Sequence, residues 1–423
     1  ATNTASVFSP NPGLNTVTIG VADLRNALEA GGGTNVKITT INSGNSPGTP
    51  SGIFPSSGLG DITVAAPLTW VIGVGRSATL TLEAGGDVNI NAPVSITRGN
   101  LVVCCGRDIN VNAAITTTGT AATPNQGGNV LLSAGRDVTI VRSANTVALP
   151  NKSLTEIVTT SGNMEICAGR DIVLGNTFNN AALLTLTNSV ANSNGPFNPV
   201  TQRGLTLRAG NAATGPGAAG GGGTLNISAG TFNTVTGPNP ISPINIFYNA
   251  SSYASPTDYS GFFFGTGGPL TQFMLVFPEV QTKVFDGTTA ATVTGLKGTP
   301  AGVTLNPGGA FSFESAAVGI DVPVTFSGLS LTQAAPITPG GTARNFALAA
   351  PCCDVVVTRT SGTILPADAD ARGAPRRPVR PGLPDPRLRR HRRDRHAARL
   401  RLLVRAHSAR AGRLPPRGGL GGL

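Results

Sequence analysis

The chain has 423 residues, 39% of them hydrophobic, enough for two or three domains with substantial cores. Charged residues make up 12% and aromatics 5%, against 56 Gly and 32 Pro, which disfavours a helical enzyme and favours a turn-rich β architecture. The net charge of +11 divides unevenly: residues 367–423 hold 16 Arg and 4 Asp, which leaves 15 basic and 16 acidic residues in a nearly neutral body.

All three His (His391, His396, His407) lie in that tail, so the body lacks the commonest general base and zinc ligand. No metal site and no cofactor is expected. The five Cys form the vicinal pairs Cys104-Cys105 and Cys352-Cys353 with Cys167 alone, a spacing that reads as small apolar packing rather than metal ligation. A strained Cys104-Cys105 bridge is the alternative. No apolar run reaches the ~18 residues of a membrane span, and no charged-then-apolar signal peptide opens the chain.

In chain order, the first element is a short helix in residues 22–32, with Asp23 as its cap and Gly31 at its end. A ladder of repeats follows. Residues 99–108 (GNLVVCCGRD), 128–137 (GNVLLSAGRD) and 162–171 (GNMEICAGRD) are three near copies, with weaker ones at 78–87, 204–211 and 223–230. After each Asp comes an alternating stretch, as in Asp108-Ile109-Asn110-Val111 and Asp171-Ile172-Val173-Leu174. Apolar residues two apart put Leu101 and Val103, Val130 and Leu132, and Met164 and Ile166 on one face of a strand.

Each unit thus reads as strand, tight turn, strand. Gly106, Gly135 and Gly169 would give the bend its permissive backbone, and Asp108, Asp137 and Asp171 would bind local amides. The Asp-to-Asp spacings from Asp61 through Asp87 onward are 26, 21, 29 and 34 residues, the signature of units that must stack to bury an apolar face. The predicted architecture is a parallel β-helix, with residues 175–223 as its longest excursion. In this alignment Cys105 shares the inward parity of Ala134 and Ala168, and Cys104 the outward parity of Ser133 and Cys167. Cys104 and Cys167, two units and ~10 Å apart, are too distant to bridge each other. One carboxylate per rung fits a turn role better than a clustered acid pair. Arg107, Arg136 and Arg170 are read as partners of neighbouring Asp residues, with an anion-binding stripe as the alternative.

The phrase AGRD followed by alternating Ile or Val resembles the repeats of the filamentous haemagglutinin family over residues 17 to about 230, and the short helix is similar to an insertion common in such shafts. The resemblance implies a right-handed β-helical shaft, export through an outer-membrane two-partner-secretion transporter, and attachment to a host-cell or bacterial surface receptor or glycan. The family's amino-terminal secretion signature is missing, since Asn11-Pro12-Gly13-Leu14 is too thin a match. An internal or truncated piece is expected.

Residues 241–276 concentrate aromatic side chains, including Tyr248, Tyr253 and Tyr259. They are read as a cap over the open end of the solenoid, with a carbohydrate-binding platform as the alternative. Next, Lys283-Val284-Phe285-Asp286-Gly287-Thr288-Thr289 resembles the opening of the YDG repeat domain of bacterial surface proteins, and Val322 to Leu331 and Asn345 to Leu348 follow in the family's order. A small β-sandwich of spacer type is implied, with Asp286 a turn residue.

The tail changes language: of 57 residues, 47 are Arg, Ala, Leu, Pro or Gly. Those residues belong to G+C-rich codon boxes, so the tail reads as a frameshift product from near residue 366, and whether native or not it is expected to be disordered. A genuine basic tail that binds nucleic acid is the alternative, and no nucleic-acid partner is expected. The resulting organisation is all-β. A parallel β-helix spans 1–240, an aromatic cap or linker 241–276, a YDG-type sandwich 277–366 and a disordered tail 367–423. The expected function is a non-enzymatic, monomeric adhesin shaft, secreted or held at the cell surface. A carbohydrate-active β-helix enzyme is the alternative.

Overall fold

Side chains that alternate between apolar and polar every two residues make strands with one greasy face, and such strands are stable only when stacked. The computed structural model describes residues 6–8, 17–40, 60–119, 128–142, 155–176, 183–188, 204–217, 223–228, 232–236, 243–264, 270–333, 345–349 and 359–367. Three parallel sheets of ten, six and seven strands run along a parallel β-helix. A rung passes through one strand of each, as in Gly99–Cys105, Ile109–Val111 and Ile115–Thr118. The next rung repeats the pattern with Val130–Ala134, Val138–Arg142 and Ile157–Thr160.

The reading of two strands per unit therefore misses the third. Its strands put a polar residue inward: Thr117 is fully buried and donates its hydroxyl to the Gly128 carbonyl at 2.6 Å, which hides the alternation. For the same reason the span 175–223 is no single excursion, because it contains Leu184–Asn188 of the third sheet and Leu205–Ala209 of the first.

Registers stack like on like. Leu80, Leu101, Val130, Met164, Leu205 and Ile244 form one inward column of the ten-stranded sheet. All are buried in one continuous core. Each such side chain contributes roughly 1.5–3 kcal/mol on burial. Cys105 stacks inward between Ala84 and Ala134, while Cys104, Ser133 and Cys167 share an outward column. Packing alone does not describe these sulfurs: Cys104 and Cys167 are disulfide-bonded, and Cys105 is the free cysteine among the described residues. The vicinal Cys352-Cys353 pair lies outside the described residues.

At the amino-terminal side, the helix Val21–Glu29 buries Leu24 and Leu28 in the core of the shaft. Gly20, not Asp23, is its N-cap residue. Asp23 stands in the first turn, where its charge favours the helix dipole. A short 3-10 turn, Ala30–Gly32, follows, with Gly31 at φ +59°.

The shaft runs past residue 240. Ile244–Tyr248 and Leu270–Val276 extend the first sheet, and Phe263–Phe264 extends the third. The first sheet then closes with Asn345–Leu348, paired parallel to Leu270–Val276. The YDG-like segment is thus a detour between two shaft strands, which departs from the serial boundaries at 240 and 276.

Within that detour, Pro278–Val280 pairs with Val293–Leu296, and Val303–Leu305 pairs with Leu331–Gln333. A four-stranded sheet orders Lys283–Val284, Arg359–Leu365, Gly319–Ser327 and Ala310–Phe313, three of its strands from the detour and Arg359–Leu365 from beyond the last shaft strand. Val280, from the first pair, packs with Phe313, Val324 and Ile364 of that sheet, so the segment has its own two-layer core. Val303 of the second pair instead joins the core of the shaft. Of the tail, only Ala367 falls within the described residues.

Candidate functional site

The repeated turn is the most regular polar feature. Asp61, Asp87, Asp108 and Asp137 each accept, through Oδ1, the backbone N–H of the Asp one rung on, at 2.7, 3.1, 3.2 and 3.1 Å. Arg136 and Arg170 clasp Asp108 and Asp137 of the preceding rung with two donors each. Arg107 reaches both Asp87 at 3.0 Å and Asp61 at 3.1 Å. The carboxylates therefore join rungs rather than closing local turns, and each contact, half in water, contributes ~0–1 kcal/mol. Asp171 ends the series. Burial pushes its carboxyl up, but the N–H groups of Thr224 and Gly223, the Thr224 hydroxyl and Arg170 outweigh that and hold it below the ordinary range.

The turn glycines follow a different rule from the one expected. Gly106, Gly135 and Gly169 are absent from the residues with positive φ. What they need is space: a Cβ at Gly135 would stand 2.3 Å from the Gly106 carbonyl oxygen.

A second ladder is fully buried and escaped the sequence reading. Asn129 Nδ2 donates to Asn100 Oδ1 at 2.9 Å, and Asn163 Nδ2 donates to Asn129 Oδ1 at 3.2 Å. The side-chain oxygens of the ladder also take backbone N–H donors, Asn163 N on Asn129 Oδ1 at 2.9 Å and Gly204 N on Asn163 Oδ1 at 2.8 Å. Its signal was the Asn after the first Gly of each of the three near copies. Asn129→Ala should lower unfolding free energy by about 2–4 kcal/mol, because it strips partners from buried amides on two rungs. Chemical denaturation checks this, and an unchanged midpoint would show the ladder to be dispensable.

The aromatic candidates belong to the interior. Tyr248, Tyr253 and Tyr259 are 2%, 8% and 6% exposed, in the same core as the shaft. The rings of Tyr248 and Tyr259 meet edge to face at 5.1 Å, and the Tyr253 hydroxyl donates to the Leu275 carbonyl at 3.1 Å. Burial pushes the Tyr248 and Tyr259 phenols up to about 12. Rings packed this way offer no open face to a sugar, which overturns the platform alternative. They fill part of the shaft's core.

One exposed cluster does invite contact. Val284, Phe285, Val318, Ile320 and Leu365 are 56%, 43%, 49%, 81% and 45% exposed. Pairing brings them together: Val284 lies opposite Leu365, the Phe285 N–H donates to the Leu365 carbonyl at 2.8 Å, and Gly319 lies opposite Ile364. Beside this apolar tip, Asp286 accepts from Thr288 N at 2.9 Å and from Lys283 Nζ at 2.8 Å, and these donors hold its carboxyl down at about 2. With Gly287 at φ +77°, this is a locked turn.

Among the described residues, no group of three or more His, Cys, Asp or Glu could hold a metal ion. No helix among them is long and apolar enough to cross a membrane.

These features define a β-helical shaft interrupted by a small β-module. The module has a family: residues 275–351 match the YDG domain. Neither the curated proteins nor the solved structures contain a match to the chain.

Proposed function

We propose that the chain is part of a non-enzymatic bacterial surface adhesin, a stiff shaft that presents a YDG module to a receptor or glycan on another cell. The observation that carries this reading is the apolar tip of Val284, Phe285, Val318, Ile320 and Leu365 on a module built into the shaft. Exposed apolar clusters on otherwise polar surfaces are where partners bind. Export by a two-partner-secretion transporter and a place outside the cell belong to the same proposal, supported by the likeness of the repeats to filamentous haemagglutinin. The repeated carboxylates are held by arginines and amides of adjacent rungs, an arrangement that suits a scaffold.

Beads coated with the purified chain should attach to layers of host or bacterial cells. A double variant, Phe285→Ser with Ile320→Ser, should lose at least 10-fold in attachment while its thermal midpoint stays put. Equal attachment by the variant would remove the tip from the mechanism. Beads that attach to no cell layer would overturn the adhesin reading.

A further inference from the structure

Where the module meets the shaft, one ammonium group serves both. Lys297 follows the module strand Val293–Leu296, and its Nζ donates to the Thr214 carbonyl of the shaft at 2.9 Å and to the Ser361 hydroxyl of the four-stranded sheet at 2.8 Å. Beside it the hydroxyl of Thr360, fully buried, donates to the Pro278 carbonyl at 2.7 Å and lies 3.3 Å from the same Thr214 oxygen. The receiving loop is itself fastened to the shaft. Asn249 Nδ2 donates to the Gly215 and Gly217 carbonyls at 3.0 and 3.2 Å, and Gly217 N donates back to Asn249 Oδ1 at 3.1 Å. The turn after Lys297 sits as close, since a Cβ at Gly298 would stand 3.2 Å from the Tyr253 ring. Burial pushes the Lys297 ammonium below its ordinary range, against the pull of Glu279 and Asp321, so its two acceptors stand in for water.

The contact continues toward the tip. Ser361, 6% exposed, donates to Asp321 Oδ1 at 3.3 Å. Asp321 stands at φ +55°, where the pairing of Gly319–Ser327 with Arg359–Leu365 shifts between Gly319 and Val322. A residue with a Cβ keeps that left-handed backbone only where its surroundings hold it, and a bulge of this kind re-aims a neighbouring side chain. The neighbour is Ile320, at 81% the most exposed member of the apolar tip.

We propose that Lys297 is a latch between module and shaft that also sets the tip: the series Thr214, Lys297, Ser361, Asp321 holds the bulge so that Ile320 projects, and a latched module grips its partner more tightly than a loose one. The advantage is preorganisation, because the ordering of the bulge is complete before the partner arrives. Linkage makes the effect reciprocal, so a partner on Ile320 tightens the latch in turn. The gain in attachment rests on the adhesin function proposed above, whereas the seating of the module can be measured with no partner present.

Hydrogen exchange and bead attachment, both on the intact chain, test the latch. Lys297→Met keeps the length of the side chain and removes its donors. Exchange at the amides of Ile320, Asp321 and Val322 should quicken by about 10-fold while Met164–Ala168 in the shaft keeps its protection. Attachment should weaken by about 3-fold although every apolar side chain of the tip is present. Ser361→Ala, a smaller change that leaves the ammonium its Thr214 partner, carries the same expectation, and Asp321→Asn, which retains an acceptor, should behave as wild type. Lys297→Met combined with Asp321→Ala should be no worse than Lys297→Met alone; effects that multiply would mean that the two residues act independently and would overturn the relay. Unchanged exchange at Ile320 to Val322 in both Lys297→Met and Ser361→Ala would overturn the latch whatever the beads do. Quickened exchange with undiminished attachment would overturn the link to the tip. Quickened exchange in a chain whose wild-type beads attach to no cell would uphold the latch and overturn the adhesin reading instead.

Discussion

Glu165→Leu should destabilise the shaft by about 3–5 kcal/mol, the penalty of stranding one member of a buried ion pair. Glu165 accepts from Arg208 Nε at 3.0 Å, and the two side chains are 1% and 5% exposed. The guanidinium lies 4.0 Å over the ring of Phe247, which stacks on Phe273 with centroids 4.7 Å apart. Without the carboxylate, the cation would keep the ring face but lose its counter-charge in a place water does not reach. Glu165→Gln retains an acceptor and should lose only about 1–2 kcal/mol. Replacing both partners, Glu165→Leu with Arg208→Met, should return stability to near wild type, because two well-packed apolar chains substitute for a desolvated pair. Urea unfolding of the four proteins gives the comparison, and a Leu variant as stable as wild type would show the pair to be hydrated.

The same site has a pH signature. Burial pushes the Glu165 carboxyl above its ordinary 4.5, against the pull of Arg208. The folded chain then holds a proton that the unfolded chain has released, so this group's contribution to stability falls as pH rises from 4.5 toward the raised value. The Gln variant, which does not titrate, should flatten that slope.

How much of this was legible beforehand depends on which physical signal each residue left. The turn ladder was visible because Gly, Arg and Asp recur together, and registers such as Cys104 with Ser133 and Cys167 follow directly from aligning the copies. The third strand of each rung was not visible, because buried Thr117 and Thr159 put hydroxyls at inward positions. Asn129 sat in plain view, but a single polar letter does not say that its amide points along the stack. For the tyrosines it is the platform alternative that fails, since composition records rings without their faces. Asn345–Leu348 was assigned to the module because its shaft partner, Leu270–Val276, lies across the whole detour. The apolar tip also needed the fold, since Leu365 and Phe285 meet only by pairing.

Gly169→Ala should destabilise the shaft by about 3 kcal/mol or more, at the upper end of overpacking penalties. A Cβ there would sit 2.0 Å from the Gly135 carbonyl oxygen and 3.1 Å from Ala212 Cβ. The obstacle is backbone, so no rotamer change relieves it. The surrounding hydrogen bonds fix the spacing, Gly169 N to Ala134 O at 2.9 Å and Ala212 N to Gly169 O at 2.9 Å. Moving the carbonyl aside would open these bonds and disturb the Arg170–Asp137 contact at the next residue. Gly73, with nothing within 4 Å of a new Cβ, is the matched control, and Gly73→Ala should be neutral or stabilising by about 0.4–1 kcal/mol. Hydrogen exchange should localise the damage, because neighbouring rungs in a solenoid support each other in series. Amide protection should fall first in Val130–Ala134, Met164–Ala168 and Leu205–Ala209 while Lys283–Val284 and its sheet keep theirs. Uniform loss across shaft and module would instead mean that the two unfold as one cooperative unit.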